Sequence, residues 1–350
     1  MSGAHARFAA VLDKLVRRED LTEAEAGAAM ADVMGGEATP AQIAGLLVGL
    51  AMKGERPAEV VGLARTMRAH AVQLSRPRPG AFDTCGTGGD RSGTFNISSA
   101  AALVVAACGV PVAKHGNRSV SSRSGSADVF EALGVNVAAP PAVVERCLDE
   151  AGVGFFFAPT FHPSMRHAGA PRKDLGIRTA FNLLGPLTNP AGAARQLVGV
   201  PRPELTELVA RALLRLGSER AWVVHGADGL DEISTAGYTK VSECRDGAVQ
   251  TFYVHPSDFG LPKAAPETLR GGDAAANAEI IRQVLGGARG AARDVVLLNA
   301  GAALLVAGVA DSVRDGLARA AEAIDSGRAG ARLQRMAEAS RLAAGPEGRA

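Results

Sequence analysis

The pattern of the chain changes once, near residue 80, and that change limits the folds open to it. Residues 1–75 carry helix signals and no strand signals. Thr22 and Glu25 form a capping box ahead of an Ala- and Met-rich stretch that Gly35 and Gly36 end. Thr39, Pro40 and Gln42 repeat the device ahead of a helix over 42–52 that stops at Gly54, and another helix runs from near Pro57 to about Val72. Short helices with short loops predict a small bundle. Residues 75–80, Ser-Arg-Pro-Arg-Pro-Gly, read as a linker. Beyond it, apolar runs at 110–113, 153–157, 197–200, 221–224 and 295–298 alternate with helical patterns, and 237–254 reads as a hairpin around Asp246 and Gly247. Such alternation predicts an α/β fold with a mixed, mostly parallel sheet. Segment 163–190 offers no strand, and its helix-like part, 173–184, is flanked by prolines. The expected domains are a helical domain over 1–75, joined by part of 163–190, and a larger α/β domain over 80–345.

Composition removes several classes of function. Hydrophobic residues at 47% and charged residues at 21% suit a packed core rather than a disordered chain. Lys and Arg number 38 against 36 Asp and Glu, a net charge of +2, which lacks the basic excess expected of a nucleic-acid binder. The longest apolar run, 100–113, is interrupted by Gly109 and Pro111 and falls short of the roughly 20 residues a membrane span needs. The four cysteines, Cys85, Cys108, Cys147 and Cys244, form no C-x-x-C pair. Scattered thiols and an N-terminus without a signal-peptide pattern predict a cytoplasmic location.

Four stretches carry chemistry. In Asp83-Thr-Cys-Gly-Thr-Gly-Gly-Asp90, three glycines in four positions let the backbone turn its N–H groups toward an anion, and a helix beginning near Asn96 offers a second anion site. The spacing matches neither a P-loop, which needs Lys-Ser/Thr, nor a G-x-G-x-x-G fingerprint, because Arg91 stands at its third glycine. A plain glycine turn is the alternative. Residues 114–128 then gather Lys114, Asn117, Arg118, Arg123 and five serines after the strand at 110–113, where open α/β sheets bind ligands. Asp231 and Glu232 follow the strand at 221–224; adjacent carboxylates on a loop beside a phosphate site suit Mg²⁺. The segment from Arg166 to Arg178, with His167, Arg172 and Lys173, lies where two domains would meet, and Arg suits a bidentate grip on a carboxylate. Asp258-Phe-Gly260 spells a kinase motif without the sequences that accompany one, and the seven dispersed histidines show no zinc pattern.

The chain resembles the anthranilate phosphoribosyltransferase family. The matches are Gly86-Thr-Gly-Gly-Asp90, Asn96-Ile-Ser-Ser99, Lys114-His-Gly-Asn-Arg118, Ser124-Gly-Ser-Ala-Asp128, Arg172-Lys-Asp-Leu-Gly-Ile-Arg178, residues 182–190, Gly229-Leu-Asp-Glu232, and Gly271-Gly-Asp273 with Asn277. The resemblance implies a homodimer, a fold akin to nucleoside phosphorylases, and transfer of a phosphoribosyl group from phosphoribosyl pyrophosphate to anthranilate in tryptophan biosynthesis. It implies that phosphoribosyl pyrophosphate meets Gly86, Gly89, Asp90, Thr94, Asn96, Ile97, Ser98, Ser99, Lys114, His115, Gly116, Asn117, Arg118, Ser119, Val120, Ser121, Ser122 and Ser126. It implies anthranilate at Gly86, Asn117 and Arg172, and Mg²⁺ at Ser98, Asp231 and Glu232. The amine of anthranilate has a free lone pair at neutral pH, so no strong base is expected, and His115 is left a minor role. The alternatives on this fold are a pyrimidine-nucleoside phosphorylase, which the length and the acidic pair disfavour, and a nucleic-acid-binding homologue, which the charge disfavours.

Overall fold

The computed structural model describes residues 3–119 and 123–342. Val120, Ser121 and Ser122 therefore lie outside the described residues. The chain opens with α1 (Gly3–Val16), α2 (Glu23–Met34), α3 (Pro40–Lys53) and α4 (Pro57–Ala69). Both threonine caps form as reciprocal boxes: the Glu25 N–H donates to Thr22 Oγ1 at 3.2 Å, and the Gln42 N–H donates to Thr39 Oγ1 at 3.3 Å. Helices α2 and α4 touch through backbone, because a Cβ on Gly62 would overlap the Glu23 carbonyl oxygen.

The α/β part holds β1 (Phe82–Gly86), β2 (Val112–Gly116), β3 (Val153–Phe157), β4 (Arg195–Gly199), β5 (Arg220–Gly226), β6 (Thr239–Arg245) and β7 (Ala248–Val254). They make one sheet in the order β3-β2-β1-β4-β5-β6-β7. The first five run parallel, and β6 and β7 add the antiparallel hairpin that the Asp246-Gly247 pair predicts. Between and after the strands come α5 (Ile97–Ala107), α6 (Ser126–Ala132), α7 (Pro141–Ala151), α8 (Ala158–Phe161), α9 (Arg166–Leu175), α10 (Ala180–Leu187), α11 (Leu205–Arg215), α12 (Ala274–Leu285), α13 (Ala291–Ala307), α14 (Val313–Asp325) and α15 (Arg328–Arg341).

One core joins Phe82, Val112, Leu197 and Trp222 of the sheet to α5 and α13. A second joins Cys85, Val198 and Val223 on the sheet to α11 and to the apolar stripes of α2, α3 and α4. Helices α9 and α10 pack on α2, α3 and α4, and α10 also reaches β1 and β2. The chain leaves β1 for β2 on one side and returns from β3 to β4 on the other. That places a topological switch, and its ligand crevice, at the carboxyl ends of β1 and β4.

Two expected elements differ. Residues 295–298 lie inside α13, not in a strand. That helix is buried on nearly every side, so its apolar run carries no helical period to separate it from a buried strand. The single helix expected over 173–184 is two helices, α9 and α10, divided at Gly176, whose φ is +61°, and at the extended Thr179.

Candidate active site

Strand β1 delivers the glycine loop to the switch point. Gly88, Gly89 and Gly93 have φ of +64°, +83° and +68°, a region glycine enters without strain. The Gly88 N–H donates to Asp231 Oδ2 at 3.1 Å, so this loop meets the one after β5 directly. A Cβ on Gly86 would stand 2.7 Å from the same carboxylate. The outer side of the loop is buttressed by residues 269–277. The Gly271 N–H donates to the Gly93 carbonyl at 2.8 Å, and Asn277 Nδ2 donates to Asn96 Oδ1 at 3.0 Å. Asn96 in turn donates to the Ser124 carbonyl at 3.2 Å, tying the loops after β1 and β2 together.

The amino end of α5 faces the acidic pair. The Ser98 N–H donates to Glu232 Oε1 at 3.1 Å. Lys114, on β2, is 2% exposed, and its ammonium donates to the Thr84 carbonyl and, at 3.4 Å, to Ser98 Oγ. Burial, then repulsion from Asp90, pushes the Asp231 carboxyl well up; burial, then repulsion from Asp231, does the same to Glu232. Ser98, Asp231 and Glu232 offer hard oxygen donors only. A divalent cation fits that donor set and removes the repulsion that raises the pair. Mg²⁺ usually keeps waters and takes ligands from a substrate phosphate as well as from carboxylates.

A neutral pocket lies beside the charged one. His115 Nδ1 meets the Gly185 carbonyl of α10 at 3.0 Å. A carbonyl only accepts, so Nδ1 carries the proton and Nε2 keeps a lone pair, which has no partner. The ring of His162 stands 5.2 Å away, centroid to centroid. Burial, reinforced for His115 by His162, lowers the two imidazoles to about 3 and about 4, and both stay neutral. Beneath them, the fully buried Asp83 accepts from the His115 N–H at 3.2 Å and from Asn189 Nδ2 at 2.8 Å. From α9, the Arg172 guanidinium stacks over the Phe181 ring at 5.6 Å, and burial lowers its pKa.

Comparison with known proteins agrees with this architecture. Residues 9–71 match a glycosyl transferase family helical bundle domain, and residues 78–330 match a glycosyl transferase family a/b domain. An anthranilate phosphoribosyltransferase of Moorella thermoacetica is 58% identical over 327 residues, covering 93% of this chain and 96% of the relative. The crystal structure of the Thermus thermophilus anthranilate phosphoribosyltransferase superposes with a TM-score of 0.90 at 46% identity, covering 95% of this chain and 99% of that one. The chain belongs to the anthranilate phosphoribosyltransferase family. The Saccharomyces cerevisiae anthranilate phosphoribosyltransferase, solved in complex with PRPP and Mg, superposes with a TM-score of 0.87 at 27% identity, covering 96% of this chain and 98% of that one.

The residues through which the sequence resembles anthranilate phosphoribosyltransferases converge unevenly. Gly86, Gly89, Asp90, Asn96, Ser98, Lys114, Asp231 and Glu232 surround the switch point. Ile97 and Ser99 are buried on the core side of α5. Arg118 is turned to Asp128 and Glu131, at 2.9 and 2.8 Å, and its side chain is committed there. Asn117 accepts the Arg118 N–H on Oδ1 at 2.8 Å, and Ser126 Oγ donates to the Asn117 carbonyl at 3.4 Å, closing the loop on itself. His167, read from sequence as a cleft residue, packs instead on Gly36 of the bundle. Sequence reasoning missed His162, whose only signal is the proline that follows it. It also assigned Arg178 no role of its own.

Proposed function

We propose that this chain transfers the phosphoribosyl group of phosphoribosyl pyrophosphate to the amine of anthranilate, releasing pyrophosphate and forming N-(5-phosphoribosyl)anthranilate for tryptophan biosynthesis. The observation that carries it is the double tether of the acidic pair: Asp231 to the Gly88 N–H and Glu232 to the Ser98 N–H. One carboxylate pair thus adjoins both anion-binding elements, as a diphosphate with a metal requires.

In this reading Gly86, Gly89, Asp90, Thr94 and residues 96–99 hold phosphoribosyl pyrophosphate, together with Lys114, His115, Gly116, Asn117, Ser119, Ser126 and the main chain of Arg118. Ser98, Asp231 and Glu232 hold Mg²⁺, which when bound offsets the charge of the departing pyrophosphate. The Lys114 ammonium, held beside Ser98, adds positive charge at the same site. Arg172, with Gly86 and Asn117, receives anthranilate and grips its carboxylate. The amine needs no deprotonation before attack, so its placement against C1 of the ribose, worth up to roughly 7–11 kcal/mol, carries the rate. His115 stays neutral and orients that amine by accepting a hydrogen bond on Nε2. The functional units are the helical domain over 1–75 with part of 163–190 and the α/β domain over 80–345, and the chain works as a cytoplasmic homodimer. Among the described residues no helix is long and apolar enough to cross a membrane. Loss of anthranilate fluorescence with phosphoribosyl pyrophosphate and Mg²⁺ tests the reaction; no loss with either omitted, and loss with both, is the expected result.

A further inference from the structure

We infer that Arg178 is a pyrophosphate-binding residue that closes over the glycine loop from the segment between α9 and α10. Its side chain is solvent-exposed, yet it crosses to the far domain: Nη2 donates to the Thr87 carbonyl at 3.4 Å. A Cβ on Gly89 would overlap its guanidinium, which approaches the turn with its Nη1 end foremost. Asp231 and Asp90 attract it, while Arg202 and Arg91 repel it. Among the described residues it has no salt bridge, and one long bond to a carbonyl leaves most of its five donors unused. The guanidinium thus stands against the glycine loop with donors to spare.

The identity of that anion follows from position, resting on the function proposed above. The glycine loop touches Asp231, so the phosphate group bound there is the one that shares the metal, which is the pyrophosphate and not the 5-phosphate. Arg178 is placed to offer it a bidentate pair of charge-assisted hydrogen bonds. Its role is separate from that of Arg172, which is stacked on Phe181. Because Arg178 follows Gly176, where the chain turns between helices, pyrophosphate held by it also draws the α9–α10 segment onto the sheet.

Calorimetry with pyrophosphate plus Mg²⁺, and separately with ribose 5-phosphate, tests this on the full chain. Arg178→Gln should bind pyrophosphate about 10- to 100-fold more weakly, with ribose 5-phosphate affinity and Tm unchanged. Arg178→Lys should recover part of the loss. Pyrophosphate affinity within twofold of the parent protein, or an equal loss for both ligands, overturns the inference while leaving the proposed reaction intact. Absence of pyrophosphate binding to the parent protein overturns both.

Discussion

The two ends of the crevice carry opposite kinds of ionisable group, and burial drives both toward their neutral forms. At one end Asp90, Asp231 and Glu232 crowd together, and burial with mutual repulsion raises Asp231 and Glu232. At the other end burial lowers His115 and His162, which pass out of the range where they could carry charge. The acidic end favours a ligand that brings positive charge, and at the imidazole end the His115 Nε2 lone pair has no partner among the described residues. In the proposed reading a metal-bound diphosphate sits at the first, and an aromatic amine, which must keep its lone pair, at the second.

The largest expected effect breaks the charged end. Asp231→Asn with Glu232→Gln should lower turnover at limiting Mg²⁺ by about two to three orders of magnitude, since metal charge stabilisation is worth several kcal/mol. The same change removes like-charge repulsion, so Tm should hold or rise. Steady-state Mg²⁺ titration with a thermal melt reads both, and an unaltered Mg²⁺ dependence would remove the pair from the metal site. Next comes the acceptor side. Arg172→Ala should cost about 10- to 150-fold in kcat/KM for anthranilate through one lost charged hydrogen bond, with the KM of phosphoribosyl pyrophosphate little moved. Equal losses for both substrates would make Arg172 a packing residue over Phe181.

The neutral end is sharpened by pH. His162 has a folded pKa of about 4, below its ordinary 6.5, so the unfolded chain binds the extra proton between those values. Its contribution is whole above pH 6.5 and fades as pH falls toward 4. Urea unfolding at pH 7 and pH 4.5 should show Arg172-independent acid loss that His162→Gln reduces by about 2 kcal/mol. Equal acid loss in the variant would mean His162 is charged in the folded protein. The smallest effect concerns Arg118, whose side chain is engaged by Asp128 and Glu131. Arg118→Ala should shift the KM of phosphoribosyl pyrophosphate by less than about threefold; a tenfold rise would show that the guanidinium leaves those partners for substrate.

Sequence reasoning picked out the glycines, the acidic pair and the clustered donors that the fold brings to the switch point. These cues are local. It missed β1 as a strand, because Phe82–Gly86 runs Phe-Asp-Thr-Cys-Gly and its polar Asp83 and Thr84 side chains are buried against Asn189 and the Ser98 carbonyl. Those partners are 106 and 14 residues away. The neutral pocket was hidden for the same reason: His115 and His162 meet only when β2 and α8 are folded, and nothing in either neighbourhood announces the other. Arg178 stood in the sequence as one of several basic residues of the segment between the two domains, and only the fold sets its guanidinium against Gly89. The strand expected at 295–298 failed differently, since a helix buried all round has no polar face to give its period away.

The contact between α2 and α4 has a mechanical consequence. With Gly62 pressed against the Glu23 carbonyl, neither helix can slide along the other without backbone collision. The bundle is therefore stiff in shear. Because the bundle shares its apolar core with the sheet and with α11, a strain entering through α9 or α10 is passed on to the sheet instead of being taken up between the helices.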